Sequence, residues 1–274
     1  MPFLLLVPAS LSMPVLQTSS KLLLIFCCLF ATGCLEMPAP AQESQTAPPA
    51  DRRAPEFDRP AAEERLQLLS EAIANDSDSI DLYSRRGDVH LFLGNDEAAV
   101  ADYDRMIELS PDLRDSHWRR GIALYLAGEY ESGAKQFDHY HNVDQVDREN
   151  GIWRYLCHHQ AHGPEAARKE LLRYAKDDRE PFGDIYRVYQ GEIEPAAIFE
   201  NIKNANIPDD DRQSRLFYAA LYMGLHDQVY GHQESAKAHL KDATENNWPQ
   251  TAGFGPNYMW HVARRLSESH EDAQ

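Results

Sequence analysis

The feature that most constrains this chain is a repeat. "YSRRGDVHLFLGN" from Tyr83 and "HWRRGIALYLAGE" from His117 carry the same Arg-Arg-Gly triplet, with Gly121 thirty-four residues after Gly87. A period of that length is one helical hairpin, and hairpins of this kind bury their apolar faces only by stacking on neighbours. Numbering the first unit from Ile80 puts Tyr83 fourth, Gly87 eighth, Gly94 fifteenth, Ala99 twentieth, Tyr103 twenty-fourth and Pro111 thirty-second. Small residues at eight and twenty let the two helices of a hairpin approach, and an aromatic at twenty-four fills the gap beside them. Glycine at fifteen ends the first helix in a left-handed conformation, and proline at thirty-two stops the second.

A second unit from Arg114 supplies Gly121, Gly128, Tyr130 and Phe137, and another from Phe217 supplies Gly224, Gly231, Ala236, Leu240 and Ala243. Between them the signal weakens. The unit from Arg148 keeps Ala167 and Leu171 but has Tyr155 where glycine belongs, and the span 182–216 has apolar residues such as Ile185, Tyr189 and Ile198 without the glycines. Leu66, Leu69, Ala72 and Ile73 form an apolar stripe ahead of the array, and a closing helix is expected near Asn257–Leu266. The expectation is an all-α solenoid of four to five helical hairpins over residues 61–269, with an N-terminal and a closing C-terminal helix and a disordered tail at 270–274.

These positions and residue types resemble the tetratricopeptide repeat (TPR). In that family the first helices of successive hairpins line a concave groove through positions two, five, nine, twelve and thirteen. The resemblance places Asp81, Ser84, Asp88, Leu91 and Phe92 there from the first unit, and Asp115, Trp118, Ile122, Tyr125 and Leu126 from the second. With Arg85 and Arg119 beside them, the candidate partner-binding groove is Arg85, Asp88, Leu91, Phe92, Trp118, Arg119, Ile122 and Tyr125. An aromatic and aliphatic wall with acids at one end suits a peptide with apolar anchors and a basic flank. The alternative is that Trp118 or Tyr125 is covered by a neighbouring helix or by the N-terminal segment. Ser84 and Asp88 stand where the carboxylate clamp of chaperone-binding TPRs needs lysine and asparagine, so that specificity is excluded.

Ahead of the array, "KLLLIFCCLFATGC" at residues 21–34 has one cation, an apolar run from Leu22 to Ala31 and then small residues. The run is too short to span a bilayer and fits the core of a secretory signal over residues 1–33, with Met13 a plausible start. Ala31, Thr32, Gly33 and Cys34 resemble the bacterial lipobox, which implies a lipid-modified Cys34 and a membrane anchor facing the periplasm. The alternative is ordinary signal cleavage leaving Cys34 free. Leu35 lacks the aspartate associated with inner-membrane retention, which favours the outer membrane. Residues 34–60, rich in Pro, Ala, Gln and Glu, read as a disordered tether. Cys27 and Cys28 would leave with the signal, so Cys157 remains as a lone thiol without a disulfide partner.

The order of parts, and segments such as "GIWRYLCHHQ" and "IYRVYQGEIEPAAIFENIK", resemble the NlpI lipoproteins. That resemblance implies a non-enzymatic envelope scaffold, possibly dimeric, that brings cell-wall hydrolases and a processing protease together, and it transfers no catalytic residue. A formal net charge of −17 argues against nucleic-acid partners. "CHHQAH" and "FDHYHN" raise a metal-dependent enzyme as an alternative, but His158 and His162 at a spacing of four supply two ligands, with no His-Glu-x-x-His signature. A small anionic solute held by Arg85 and Arg119 is the other alternative. No metal and no cofactor is expected.

Overall fold

The computed structural model describes residues 56–176 and 178–272, so the signal segment, Cys34 and nearly all of the tether lie outside the described residues. What is described is all-helical: α1 (Arg59–Asn75), α2 (Ile80–Leu93), α3 (Asp96–Leu109), α4 (Trp118–Leu126), α5 (Tyr130–Val143), α6 (Arg148–His162), α7 (Pro164–Lys169), α8 (Phe182–Gln190), α9 (Pro195–Asn204), α10 (Asp209–Val229), α11 (Gln233–Glu245) and α12 (Phe254–Asp272). Consecutive helices pack in pairs, and successive pairs stack into an all-α array of helical hairpins. Among the described residues no helix is long and apolar enough to cross a membrane.

The repeat positions do the work their chemistry suggests. A Cβ on Gly87 would lie 2.6 Å from the Tyr103 ring, one on Gly121 2.5 Å from Phe137, and one on Gly224 2.7 Å from Leu240. Each pair is sixteen residues apart, so one close approach recurs in three hairpins. Gly94 and Gly128 end α2 and α4 at φ values of 94° and 78°, a region that disfavours side chains.

A charged series runs alongside. Arg86 binds Asp102 within its own hairpin at 2.7 Å. Arg120 and Arg154 sit at the same repeat position but reach back to the preceding hairpin, to Asp104 and Asp138, each at 2.5 Å. Arg120 also donates to the Gln136 side chain at 3.1 Å. The third unit therefore keeps its arginine clasp after losing its glycine. Tyr155, at the glycine's place, is buried and edge-on to Tyr189, with its hydroxyl 2.8 Å from that of Tyr230. A side chain that large pushes the next helix away, which is why α7 is only six residues long and an irregular stretch follows it.

Three boundaries differ from the sequence expectation. Helix α10 begins at Asp209, ahead of the unit start at Phe217, because Asp209, Asp210 and Asp211 complement the positive end of a helix. Helix α12 runs to Asp272, so residues 270–272 are helical rather than tail. At the other end Asp58 caps α1 by accepting from the Ala61 amide at 3.0 Å, and Phe57 meets His261 edge-on at 5.4 Å, so the folded part begins a few residues before Pro60.

Candidate functional site

The inner face of the array is formed by α2, α4 and α6, and α12 returns to it. Phe92 stacks on His261 with ring centroids 3.9 Å apart, and Trp118 meets Tyr258 edge-on at 5.0 Å. Arg119 lies 5.4 Å from the rings of both Tyr103 and Phe254 while pairing with Asp88 at 2.6 Å. The Tyr103 hydroxyl donates to the same carboxylate at 2.7 Å and lies 3.3 Å from the Tyr258 hydroxyl. Arg265 pairs with Asp96 across the same junction, and Arg264 donates to the Phe92 carbonyl at 2.5 Å.

The open groove expected from the sequence is therefore corrected: its N-terminal end is filled by the chain's own last helix. Asp88, Leu91, Ile122 and Tyr125 are buried, Phe92 is partly buried, and Arg119 is engaged by Asp88 and Ser84. Arg85 stays on the surface in an i,i+4 pair with Asp81 at 2.9 Å. The two arginines do not converge on a common ligand, because Arg119 is turned inward and Arg85 outward. The physical reason is apolar area. Phe92, Trp118 and Ile122 make a wall that is stable only when covered, and the amphipathic α12, with Phe254, Tyr258, His261 and Arg265 along one side, covers it.

Burial fixes the protonation states at this junction. His117 caps α4 by accepting the Arg120 amide at 3.2 Å, and its pKa is lowered to about 3 by burial, with Arg119 adding to the effect. His261 is likewise lowered to about 3 by burial and by Arg264. Burial pushes the Asp88 carboxyl up, opposed by Arg119 and the Tyr103 phenol. The junction is thus built from neutral imidazoles and one internal ion pair.

Beyond α12 the inner face opens into a cavity of about 430 Å³, within the range of ligand sites. Trp118 and Ile122 border it from α4, Asp147, Glu149, Asn150 and Trp153 from the start of α6, Ser214 and Tyr218 from α10, and Gly255, Pro256 and Met259 from the start of α12. Tyr140, Arg179 and Trp248 complete the rim.

Asp147 caps α6, accepting the Glu149 amide at 3.0 Å and the Asn150 side-chain amide at 2.6 Å. Glu149 accepts from the Tyr222 hydroxyl and pairs with Arg179, and Trp153 Nε1 donates to the same Tyr222 oxygen at 3.1 Å. Arg179 lies 4.2 Å from the Phe182 ring and 5.6 Å from that of Tyr218, and also contacts Asp147 at 3.6 Å and Asp178 at 3.4 Å. Burial raises Glu149 to about 7; Arg179 opposes the rise and Asp147 adds to it. Burial raises Asp147 as well. Three carboxylates thus share one arginine at the edge of a space walled by indole and phenol rings.

No known protein-family model matches the chain. The cavity residues Asp147, Glu149, Arg179, Tyr218 and Trp248 were not legible as a site. Asp147 reads from sequence as a helix cap, and Arg179 sits in "KDDREP", an unremarkable charge run in an irregular segment. The histidines that suggested a metal do not converge: the rings of His158 and His162 share a helix face at 6.0 Å, while His139 turns to Asp115 at 3.3 Å. Among the described residues no group of three or more His, Cys, Asp or Glu is placed to hold a metal ion. Cys157 is fully buried, and burial pushes its thiol up, so it is a packing residue rather than a nucleophile.

Proposed function

We propose that the protein is a non-enzymatic binding scaffold of the bacterial cell envelope, anchored by lipid on Cys34, that holds a segment of a partner protein in the inner-face cavity. The observation that carries the binding reading is the cavity itself. It is a concave, largely aromatic space with a few convergent polar groups, at the place where repeat arrays of this kind engage extended partners. The envelope location rests on the signal-like run, the lipobox and the tether, and the resemblance to NlpI lipoproteins favours hydrolases or a processing protease as partners. A groove reading centred on Arg85, Asp88 and Leu91 is not retained, because α12 occupies that end.

Site-specific photo-crosslinking tests the reading. A photoreactive residue at Trp248, on the cavity rim, is expected to capture a discrete envelope protein in membranes, while one at the exposed Lys135 captures none. Equal capture from both positions, or none from Trp248, overturns the cavity as the binding site. Incorporation of a fatty-acid analogue, expected to vanish in Cys34→Ala, tests the anchor separately.

A further inference from the structure

Resting on that binding reading, we propose that the cavity recognises a cationic side chain, lysine or arginine, of the partner segment, with Asp147 as its direct counter-ion among the aromatic walls.

The argument starts from charge. The carboxylates of Asp147, Glu149 and Asp178 gather around a single guanidinium, that of Arg179, so the edge of the cavity carries more negative than positive charge. Glu149 is deep, with its side chain 14% exposed and both oxygens engaged by Tyr222 and Arg179. Asp147 is the accessible partner, its side chain 21% exposed at the rim, with one oxygen bonded only to the Asn150 amide.

The second line is the walls. Trp118, Trp153, Tyr218 and Trp248 surround the space in front of these carboxylates. Aromatic faces attract cations, most strongly when the site is shielded from water. The protein already uses this combination internally, because Arg179 sits against Phe182 and Tyr218 while bridging acids. An incoming ammonium or guanidinium group would meet the same chemistry one step further out. An anion would meet repulsion from Asp147 and Glu149 in a medium of low dielectric.

Proton linkage provides a signature. Glu149, held near half-protonation around neutral pH, is the group that accommodates the excess negative charge in the free cavity. A bound cation favours its charged form, so binding releases protons and tightens as pH rises through about 7.

The test uses acetylated, amidated Ala-X-Ala tripeptides, with X as arginine, lysine, citrulline or glutamate, titrated into the full soluble chain and followed by tryptophan fluorescence and calorimetry. Saturable millimolar binding is expected for arginine and lysine, weaker by about tenfold or more for citrulline, and absent for glutamate. Proton release, read from calorimetry in buffers of different ionisation enthalpy, is expected in the wild type and lost in Glu149→Gln. Asp147→Asn keeps the helix cap and is expected to weaken the lysine peptide about tenfold without changing the unfolding midpoint. If Glu149→Gln fails to fold, Asp147→Asn and the citrulline comparison still decide.

Equal binding of citrulline and arginine peptides, or no saturable binding of either cation, overturns the proposal. Capture from Trp248 that persists unchanged in Asp147→Asn also overturns it, and leaves the cavity as a binding site of another specificity. Cation-selective peptide binding without any capture from Trp248 overturns the partner reading alone.

Discussion

At the N-terminal end of the inner face, Asp88 and Arg119 pair beneath Phe254 and Tyr258, while one hairpin further on Asp147, Glu149 and Arg179 border open space. Both ends are made by the first helices of successive hairpins, and both place carboxylates beside a guanidinium among aromatic rings. They differ in stoichiometry and cover. Asp88 has an arginine at 2.6 Å, a phenol donor and a helix over it, so nothing is left to offer a ligand. At the other end one arginine serves three acids and α12 has already turned away. The comparison teaches that a repeat supplies the scaffold for a site, and that the helix which closes the array decides which part of it remains a site.

Arg119→Ala should break the filled end. Removing one partner of a buried pair leaves Asp88 uncompensated, and a loss of about 3–5 kcal/mol is expected in urea unfolding. A loss under about 1 kcal/mol would mean that the junction is looser than its contacts imply.

Glu149→Gln sharpens the open end. The folded chain holds on Glu149 a proton that the unfolded chain releases, since its pKa rises from 4.5 to about 7 on folding. Wild-type stability should therefore fall by about 2–3 kcal/mol as pH rises through that window, and the variant should lack this component. His117 and His261, lowered from 6.5 to about 3, act with the opposite sign: their contribution is lost as pH falls below 6.5. Unfolding of wild type and variant at pH values bracketing the window isolates Glu149, and parallel profiles would contradict its placement.

Gly121→Val touches both ends, because α4 borders each. Its added carbon would press into the buried Phe137 ring, and overpacking of this kind should cost about 1–3 kcal/mol by thermal melting. Arg85→Ala is the smallest change: an exposed pair with Asp81 contributes at most about 0.5 kcal/mol, so the melting point should stay put.

The fold was legible because its signals are local. Gly87, Gly121 and Gly224 each need a large side chain sixteen residues later, and that spacing is visible without coordinates. The all-α architecture and the closing helix followed from such periodicities. What covers Trp118 was not legible, because Trp118 and Tyr258 are far apart in the chain and no period links them. The cavity was hidden for a related reason. Its polar members come from a helix cap, Asp147, and an irregular segment, Arg179, and only the packing of α6 against α10 brings them to one place. Where Tyr155 replaces the expected glycine, the pattern marked the departure but not its outcome, a shortened α7 with a loop that delivers Arg179.

The hydrogen bond from Arg264 to the Phe92 carbonyl joins residues 172 positions apart. A stacked array is ordinarily a one-dimensional object, stabilised neighbour by neighbour and free to fray from either end. Here the last helix is fastened to the first hairpin, so neither terminus can open without exposing the aromatic wall of the other. Unfolding is thereby made a concerted event, and folding must wait for the slowest, most distant contact. A chain truncated before Phe254 would lose more than its final helix, because its beginning would lose its cover as well.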